Sequence, residues 1–511
     1  MKTKSLLITL LALCLVSCNG YFSDMNVRNE YEPDIEAVMG DVNQYPSLIG
    51  GAYTKLWGYM LASGPGTFGL GTHADQYTAS ASNWNLMSWL YRANYEKPEI
   101  NNTRAAASFP KALWYDYYGV ISTLTNMLRT MKNSETPMIY KESGNDATYK
   151  ILANNYFLLG MAYTEMALLF DKCLLITEET DIQNVTADDF KEAKVIQETA
   201  LDYLNKCIEI CQQHPGFDNF GGLFPQNAVV NGDKLERMAN FMAARALAYF
   251  PRTNTESVDW NRVLTYTNKS LDQNIFAHMP DDSNFDVWAI VIAGHRNKQW
   301  VRVNMRIIKM MAPDDPNVKW PMPGNWSYSK NGDIPEVTTP DARIKKYFIY
   351  TTNPAAGNGG SFGYGLNYSP YVLSEKYNAS ANPDGVGDIY LFMESEADLL
   401  RAEALANTGG LSEAAALVNK TRVTNGGLHD ITASSSKDEI IRAIYYERFV
   451  ESDFAYHITP FYDRRRTPVD EFQITTHSFR QIPVPKVEID FYGLDDYSFG
   501  GPDDANPKYK F

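Results

Sequence analysis

Three glutamates in the stretch "ESEADLLRAE", Glu394, Glu396 and Glu403, have the side chains a glycosidase uses. Such an enzyme needs two carboxylates straddling a sugar in a cleft, about 5–10 Å apart. Glu396 and Glu403 are seven residues apart and share a helix face. Arg401 and Arg422 close by predict ion pairing for them instead. Asp463 followed by Arg464, Arg465 and Arg466 predicts a structural network that ties a helix to the closing segment, because no Gly-rich loop accompanies the arginines to cradle a phosphate. Gly64, Gly66 and Gly69 match a dinucleotide fingerprint. That fingerprint requires a strand before it and a helix N-terminus after it, and "YTKLWGYML" ahead of it reads as helix. Gly359, Ser361 and Gly363 match a nucleophile elbow, which demands strand, turn and helix; they sit in a Gly/Asn loop. No H-E-x-x-H is present, and no two of the seven histidines lie within four residues of each other. No cofactor and no metal site are therefore expected, and no EF-hand loop suggests calcium.

The aromatics point elsewhere. A sugar ring offers a face of C–H groups and an edge of hydroxyls. An indole matches the face, and Asp, Asn or Arg match the edge. Trp84 and Trp89, flanked by Asn83 and Asn85, form one candidate wall. Asp75 and Asp41 are candidate acceptors for hydroxyl protons. Trp320 and Trp326, with Tyr328 and Asn325, form a second candidate group. Trp57, Trp114, Trp260 and Trp288 lie in helical or short apolar contexts and are expected in the core.

These residues must be positioned by mostly helical elements. Between about 104 and 275, "ALWYDYYGVISTLTNMLRTM", "YKILANNYFLLGMAYTEMALLF", "DFKEAKVIQETALDYLNKCIEIC", "KLERMANFMAARALAYF" and "WNRVLTYTNKSL" repeat apolar residues at three- and four-residue spacing. Short joints between them predict antiparallel neighbours. Tyr156, Leu159, Gly160 and Tyr163 fit the first helix of a tetratricopeptide repeat, with glycine admitting a close helix. From about 276 to 387 the pattern dissolves into Gly, Pro and Asn, with "KKYFIYTT" as a short strand. Helix resumes at about 388–424 and again after Ser436, where Ser436 and Glu439 make a capping box. Gly409 and Gly410 predict a helix C-cap, and Ser412 the next N-cap. The segment 461–511 reads as an irregular tail.

The chain opens "MKTKSLLITLLALCLVSCNG". Lys2 and Lys4 precede an apolar run shorter than the ~20 residues of a membrane-spanning helix, the pattern of a secretory signal. A small residue before Cys18 resembles a bacterial lipobox. Cleavage after residue 17 would leave Cys18 lipidated, followed by a tether to residue 31. Of five cysteines, Cys173, Cys207 and Cys211 remain in the body as buried thiols without a disulfide framework. Apolar residues at 44% support a full core, and a net charge of −15 argues against nucleic acid as a partner.

The blocks "FMESEADLLRAEALANTGGLSEAAALVNKTR", "AIYYERFVES…FYDRRR" and "FRQIPVPKVEI", in that order and with the lipobox, resemble the SusD/RagB family of nutrient-binding outer-membrane lipoproteins. The resemblance implies a mostly α fold, with tetratricopeptide-like helix pairs forming a superhelical scaffold and a large irregular loop-rich region packed on it. It implies a single domain over 32–511: scaffold at about 32–275 and 388–460, ligand region at about 276–387, tail at 461–511. It further implies no enzymatic activity, a lipid anchor in the outer membrane facing outward, and a SusC-type TonB-dependent transporter as partner. The short tether carries only Asp24 and Glu30 as acids, where family members often bear acids directly after the cysteine. In that family the ligand lies between an N-terminal loop and the mid-chain region, which pairs Trp84 and Trp89 with Trp320, Trp326 and Tyr328 as two walls around a glycan. The alternatives are the same fold binding peptides or another nutrient, a transporter lid with weak ligand affinity, and a secreted hydrolase.

Overall fold

The computed structural model describes residues 35–62, 64–78, 99–107, 109–221, 223, 231–279, 302–318, 320, 334–351, 369–374, 387–453, 458–475 and 477–501. The chain divides into a short N-terminal unit ending at Gln44 and a main unit from Tyr45 onward. In the described part of the first, a helix Ile35–Gly40 is followed by a single 3-10 turn, Val42–Gln44.

The main unit is built on helices. Its principal ones are α1 (Tyr45–Ala62), α2 (Gly64–His73), α3 (Phe109–Asn133), α4 (Thr148–Leu169), α5 (Ala193–Gln213), α6 (Gly232–Ala248) and α7 (Trp260–Thr267). Within the stretch expected to be irregular lies α8 (Met305–Met311), and after it come α9 (Glu394–Thr408), α10 (Leu411–Arg422), α11 (Lys437–Glu447), α12 (Thr459–Arg466) and α13 (Lys486–Tyr492). Each helix packs on its sequence neighbour in the runs α3 to α7 and α9 to α11, although only the joint between α9 and α10 is a tight turn. Helix α4 is apolar nearly all round and is buried from Phe157 to Leu169, the behaviour of a central helix. At Gly160 the next helix comes so close that a Cβ would stand 2.5 Å from Leu204 Cγ. Tyr156 and Tyr163 stack on Tyr203 of α5, with centroids 5.9 and 6.2 Å apart. The Tyr-x-x-Leu-Gly-x-x-Tyr pattern thus marks a tight helix pair.

The capping box at α11 is complete: the Glu439 amide donates to Ser436 Oγ and the Ser436 amide to Glu439 Oε2. Gly409 closes α9 in the left-handed region at φ 99°, a conformation cheap only for glycine. The next N-cap is Gly410 rather than Ser412, which lies inside the first turn of α10.

Short antiparallel strand pairs run through the irregular region and its borders: β1 (Tyr77–Thr78) with β3 (Arg302–Val303) and β2 (Ile275–Met279) with β6 (Gly387–Phe392) tie it to the scaffold, while β4 (Phe348–Tyr350) and β5 (Tyr371–Leu373) pair within it. The segment expected to begin a helix at 388 is therefore a strand up to Phe392. Its Ile, Tyr, Leu and Phe favour a pleated surface, and β2 supplies the ladder. The segment beyond 460, expected to be irregular, carries α12 and α13, and all eight residues of α12 are buried. One apolar cluster joins the mid-chain residues Val303, Ile307, Ile308 and Phe348 to Leu399, Leu417, Ile444 and Phe449, so the irregular stretch shares the core of the C-terminal helices. Trp57 and Trp114 are core as expected; Trp260 is only half-buried. Trp288 lies outside the described residues.

Candidate functional site

Beneath the irregular region, Asp75 and Trp320 meet at one guanidinium. Helix α2 ends at His73, and the chain turns through Asp75, a non-glycine residue at φ 59°. Gln76 then leads into β1. Pairing of Tyr77 with Val303 and of Thr78 with Arg302 brings residue 304 alongside. Asn304 is the N-cap of α8: its Oδ1 accepts from the Arg306 amide at 2.9 Å, and its own amide donates to Gln76 O at 3.0 Å. That cap aims Arg306 back under the turn. Arg306 Nη1 donates to Asp75 Oδ2 at 3.3 Å, while Nη2 donates to the carbonyls of Glu471 and Gln473 at 2.8 and 2.5 Å. Its other side faces the Trp320 ring, with Cζ 4.8 Å from the centroid. Arg306 and Asp75 are buried, and Trp320 is half-buried. A guanidinium fixed by three oxygens thus presents a cation to one face of the indole.

Thus Asp75 and Trp320 come together, with the Asp75 carboxylate turned inward onto Arg306. Sequence reading missed Arg306. The available signal was a cation set among apolar residues in "NMRIIKMM", directly after an N-capping asparagine. Asp41 belongs to the N-terminal unit. It accepts from the Asn43 amide, Asn43 Nδ2 and Gln44 Nε2 at 3.0, 2.9 and 3.2 Å. Those bonds, the backbone one first, hold its carboxyl below the usual range. Asn83, Trp84, Trp89, Trp326 and Tyr328 lie outside the described residues, as does the Gly359–Gly363 loop.

Of the three glutamates, Glu396 and Glu403 are buried in ion-pair networks, whereas Glu394 lines a cleft. Glu396 takes a bidentate pair from Arg245, at 2.8 and 2.6 Å, and a bond from Tyr249 Oη at 2.9 Å. Glu403 accepts from Arg466 twice at 2.9 Å, from Arg448 at 2.8 Å and from Tyr445 Oη at 2.7 Å. Ion pairing was expected, but from Arg401 and Arg422; those bind Glu413 and Glu447 instead. Burial alone would raise the Glu403 carboxyl, yet Arg448 and Arg466 outweigh it and hold it at about 2. A carboxyl so acidic cannot donate a proton as a general acid near neutrality. The Gly64–Gly69 match opens a helix preceded by another helix, without the strand the fingerprint needs. No cluster among the described residues could hold a metal ion, and no described helix is long and apolar enough to cross a membrane.

Two clefts lie among the described residues. One, of about 390 Å³, sits where Tyr347, Tyr390 and Glu451 face the start of α9. Its charges are met within the chain: Lys420 reaches Asp398 at 2.7 Å and Glu394 at 3.9 Å, and Asn425 donates to Glu451 at 2.6 Å. The second, of about 460 Å³, opens beside Trp260.

No family model and no curated protein matches the sequence. Solved structures do match. A SusD superfamily protein from Parabacteroides distasonis superposes with a TM-score of 0.60 at 13% identity, over 89% of this chain and 98% of its own. A SusD-like protein from Bacteroides fragilis gives 0.59 at 15% identity, over 91% and 98%. A laminarin-binding SusD-like protein gives 0.51 at 16% identity, over 92% and 100%. The chain therefore has the SusD-like fold, a mostly α scaffold of tetratricopeptide-like helix pairs, as its closing sequence blocks predicted.

Proposed function

We propose that this chain is a SusD-like glycan-binding lipoprotein, anchored through Cys18 in an outer membrane and facing outward. It captures oligosaccharide or polysaccharide and passes it to a SusC-type TonB-dependent transporter, without catalysing a reaction. The observation that carries this reading is the SusD-like fold over nearly the whole chain, joined to a leader that ends in a lipobox-like cysteine. A neighbour of the same fold is a laminarin-binding protein, which supports a sugar as the cargo. The indole of Trp320 supplies one stacking face, and Trp84, with Asn83 and Trp89, supplies the opposing wall. Trp326 and Tyr328 extend the first. Sugar rings stack on such faces while their hydroxyls bond to the surrounding amides.

The test is a glycan panel, laminarin included, run by affinity gel and calorimetry on protein lacking residues 1–18. Binding is expected for at least one neutral glycan, with a loss of tenfold or more in Trp84→Ala and Trp320→Ala. Silence across the panel, with binding to peptides instead, would sink the glycan reading.

A further inference from the structure

We infer that the exposed face of α13 docks a protein partner that offers an apolar socket with a basic rim. Val487 and Phe491 stand four residues apart on this helix, hence on one face. They are 50% and 79% exposed, and Phe491 is the most exposed large apolar side chain among the described residues. Tyr115 of α3 lies alongside, also exposed, its Oη donating to Glu488 Oε1 at 2.6 Å. Single apolar side chains are common on surfaces, but Phe491 is braced at its base. Its ring meets Tyr492 edge to face at 4.8 Å, and Tyr492 meets Phe190 in the same way at 5.3 Å. Buried Ile489 pins the helix from below, and Gly493 closes it at φ 66°. An aromatic braced in this way loses little freedom when a socket closes over it, and such residues anchor interfaces.

The surrounding charge selects the partner. The segments that carry these rings, 111–116, 188–191 and 486–496, hold seven carboxylates against three lysines. Of the three, Lys486 is already bonded to Asp490 and Asp496 at 2.9 and 2.8 Å, and Lys191 donates to Asp188 O at 2.6 Å. Burial raises the Tyr492 phenol, and the charges of Glu488 and Asp189 raise it further, so the field beside Phe491 is negative. A second copy of the chain would set this acidic collar against itself across a two-fold axis. An anionic bilayer surface would repel it. A socket with Lys or Arg at its rim fits both the ring and the collar. Under the proposed function that partner is the SusC-type transporter, so the inference rests on that reading and adds the surface by which the two chains meet.

The experiment measures binding of the chain lacking residues 1–18 to the SusC-type transporter of the same organism, held in lipid nanodiscs. Empty anionic nanodiscs run in parallel, and light scattering reports self-association. The variants are Phe491→Ala, Asp495→Lys and, as a control at an exposed position of α5, Val195→Ala. Phe491→Ala is expected to weaken transporter binding about tenfold or more, with thermal melting and glycan affinity unchanged. Asp495→Lys should weaken it about threefold and reduce its sensitivity to salt, while Val195→Ala changes nothing. Transporter binding that is unmoved by Phe491→Ala overturns the docking face. So does a Phe491-dependent self-association or binding to empty nanodiscs in its place. No transporter binding by the unaltered chain overturns the docking face together with the delivery step of the proposed function, and the glycan panel, read separately, then decides capture alone.

Discussion

Glu403 shows what a single buried charge requires in this interior. Three side chains are committed to it, and two of them, Arg448 and Arg466, also hold Asp463 at 2.7 and 2.8 Å. Removing one partner leaves a buried charge uncompensated, which costs about 3–5 kcal/mol. Arg466→Met is expected to lower the unfolding free energy by that order in urea titration, and a loss below about 1 kcal/mol would show that the network is dispensable. The sign with pH follows from the carboxyl standing at about 2 against its ordinary 4.5. Its contribution is complete above 4.5 and is lost as the pH falls from there toward 2, of order 3 kcal/mol in all. Asp453 is the opposite case. Both of its oxygens are buried without a hydrogen-bond partner, and burial, reinforced by Asp463, pushes its carboxyl well above the usual range. Such a group favours the folded state at low pH and costs stability as the pH rises past 3.8. Asp453→Asn is therefore expected to stabilise the protein by at least about 1 kcal/mol at pH 7, the gain shrinking toward pH 4. A gain independent of pH would contradict this account.

At the scale of elements, the sequence marks what is local. The helices α3 to α7 follow from three- and four-residue apolar spacing. The start of α11 follows from Ser436 and Glu439, and the end of α9 from Gly409. Gly160 was legible as a close approach because only a missing Cβ explains a glycine in the middle of so apolar a helix. Gly160→Ala would set a methyl 2.5 Å from Leu204 Cγ, and a loss of about 1–3 kcal/mol is expected by chemical denaturation. A neutral or stabilising effect, as helix propensity alone would give, would show that the α4–α5 pair is looser than described. What escaped reading depends on distant partners. Nothing local tells Gly387–Phe392 that Ile275–Met279 will pair with it. Spacing placed Glu396 on a helix face but could not name Arg245, 151 residues away. Of the proposed walls, Trp320 was found as a type of residue, while the arginine that faces it comes from a different element.

On the scale of the whole molecule, α12 joins the Asp75 region to the ends of α4 and α6. Arg464 and Arg466 leave a helix about 200° apart. Arg464 Nη2 reaches Gln76, next to Asp75 and the Trp320 region, at 3.2 Å, whereas Arg466 reaches Glu403 beneath Trp260. Between them, Arg465 donates to the carbonyls of Leu168, Tyr249 and Arg480 at 2.8 Å each. Ile482 then bonds across to Leu169 and Asp171. The ends of α4 and α6 are thus sealed by residues that follow α11 in the chain. A chain halted at residue 458 would hold Glu403 without Arg466, and the carbonyls of Leu168 and Tyr249 without the Arg465 donors. It is expected to be cut by limited proteolysis across 148–248 under conditions that spare the full chain, and equal resistance would refute this. Translation past α12 thereby becomes a condition of closing these earlier helices. A polypeptide that has emerged only as far as α11 lacks the donors that close the ends of α4 and α6.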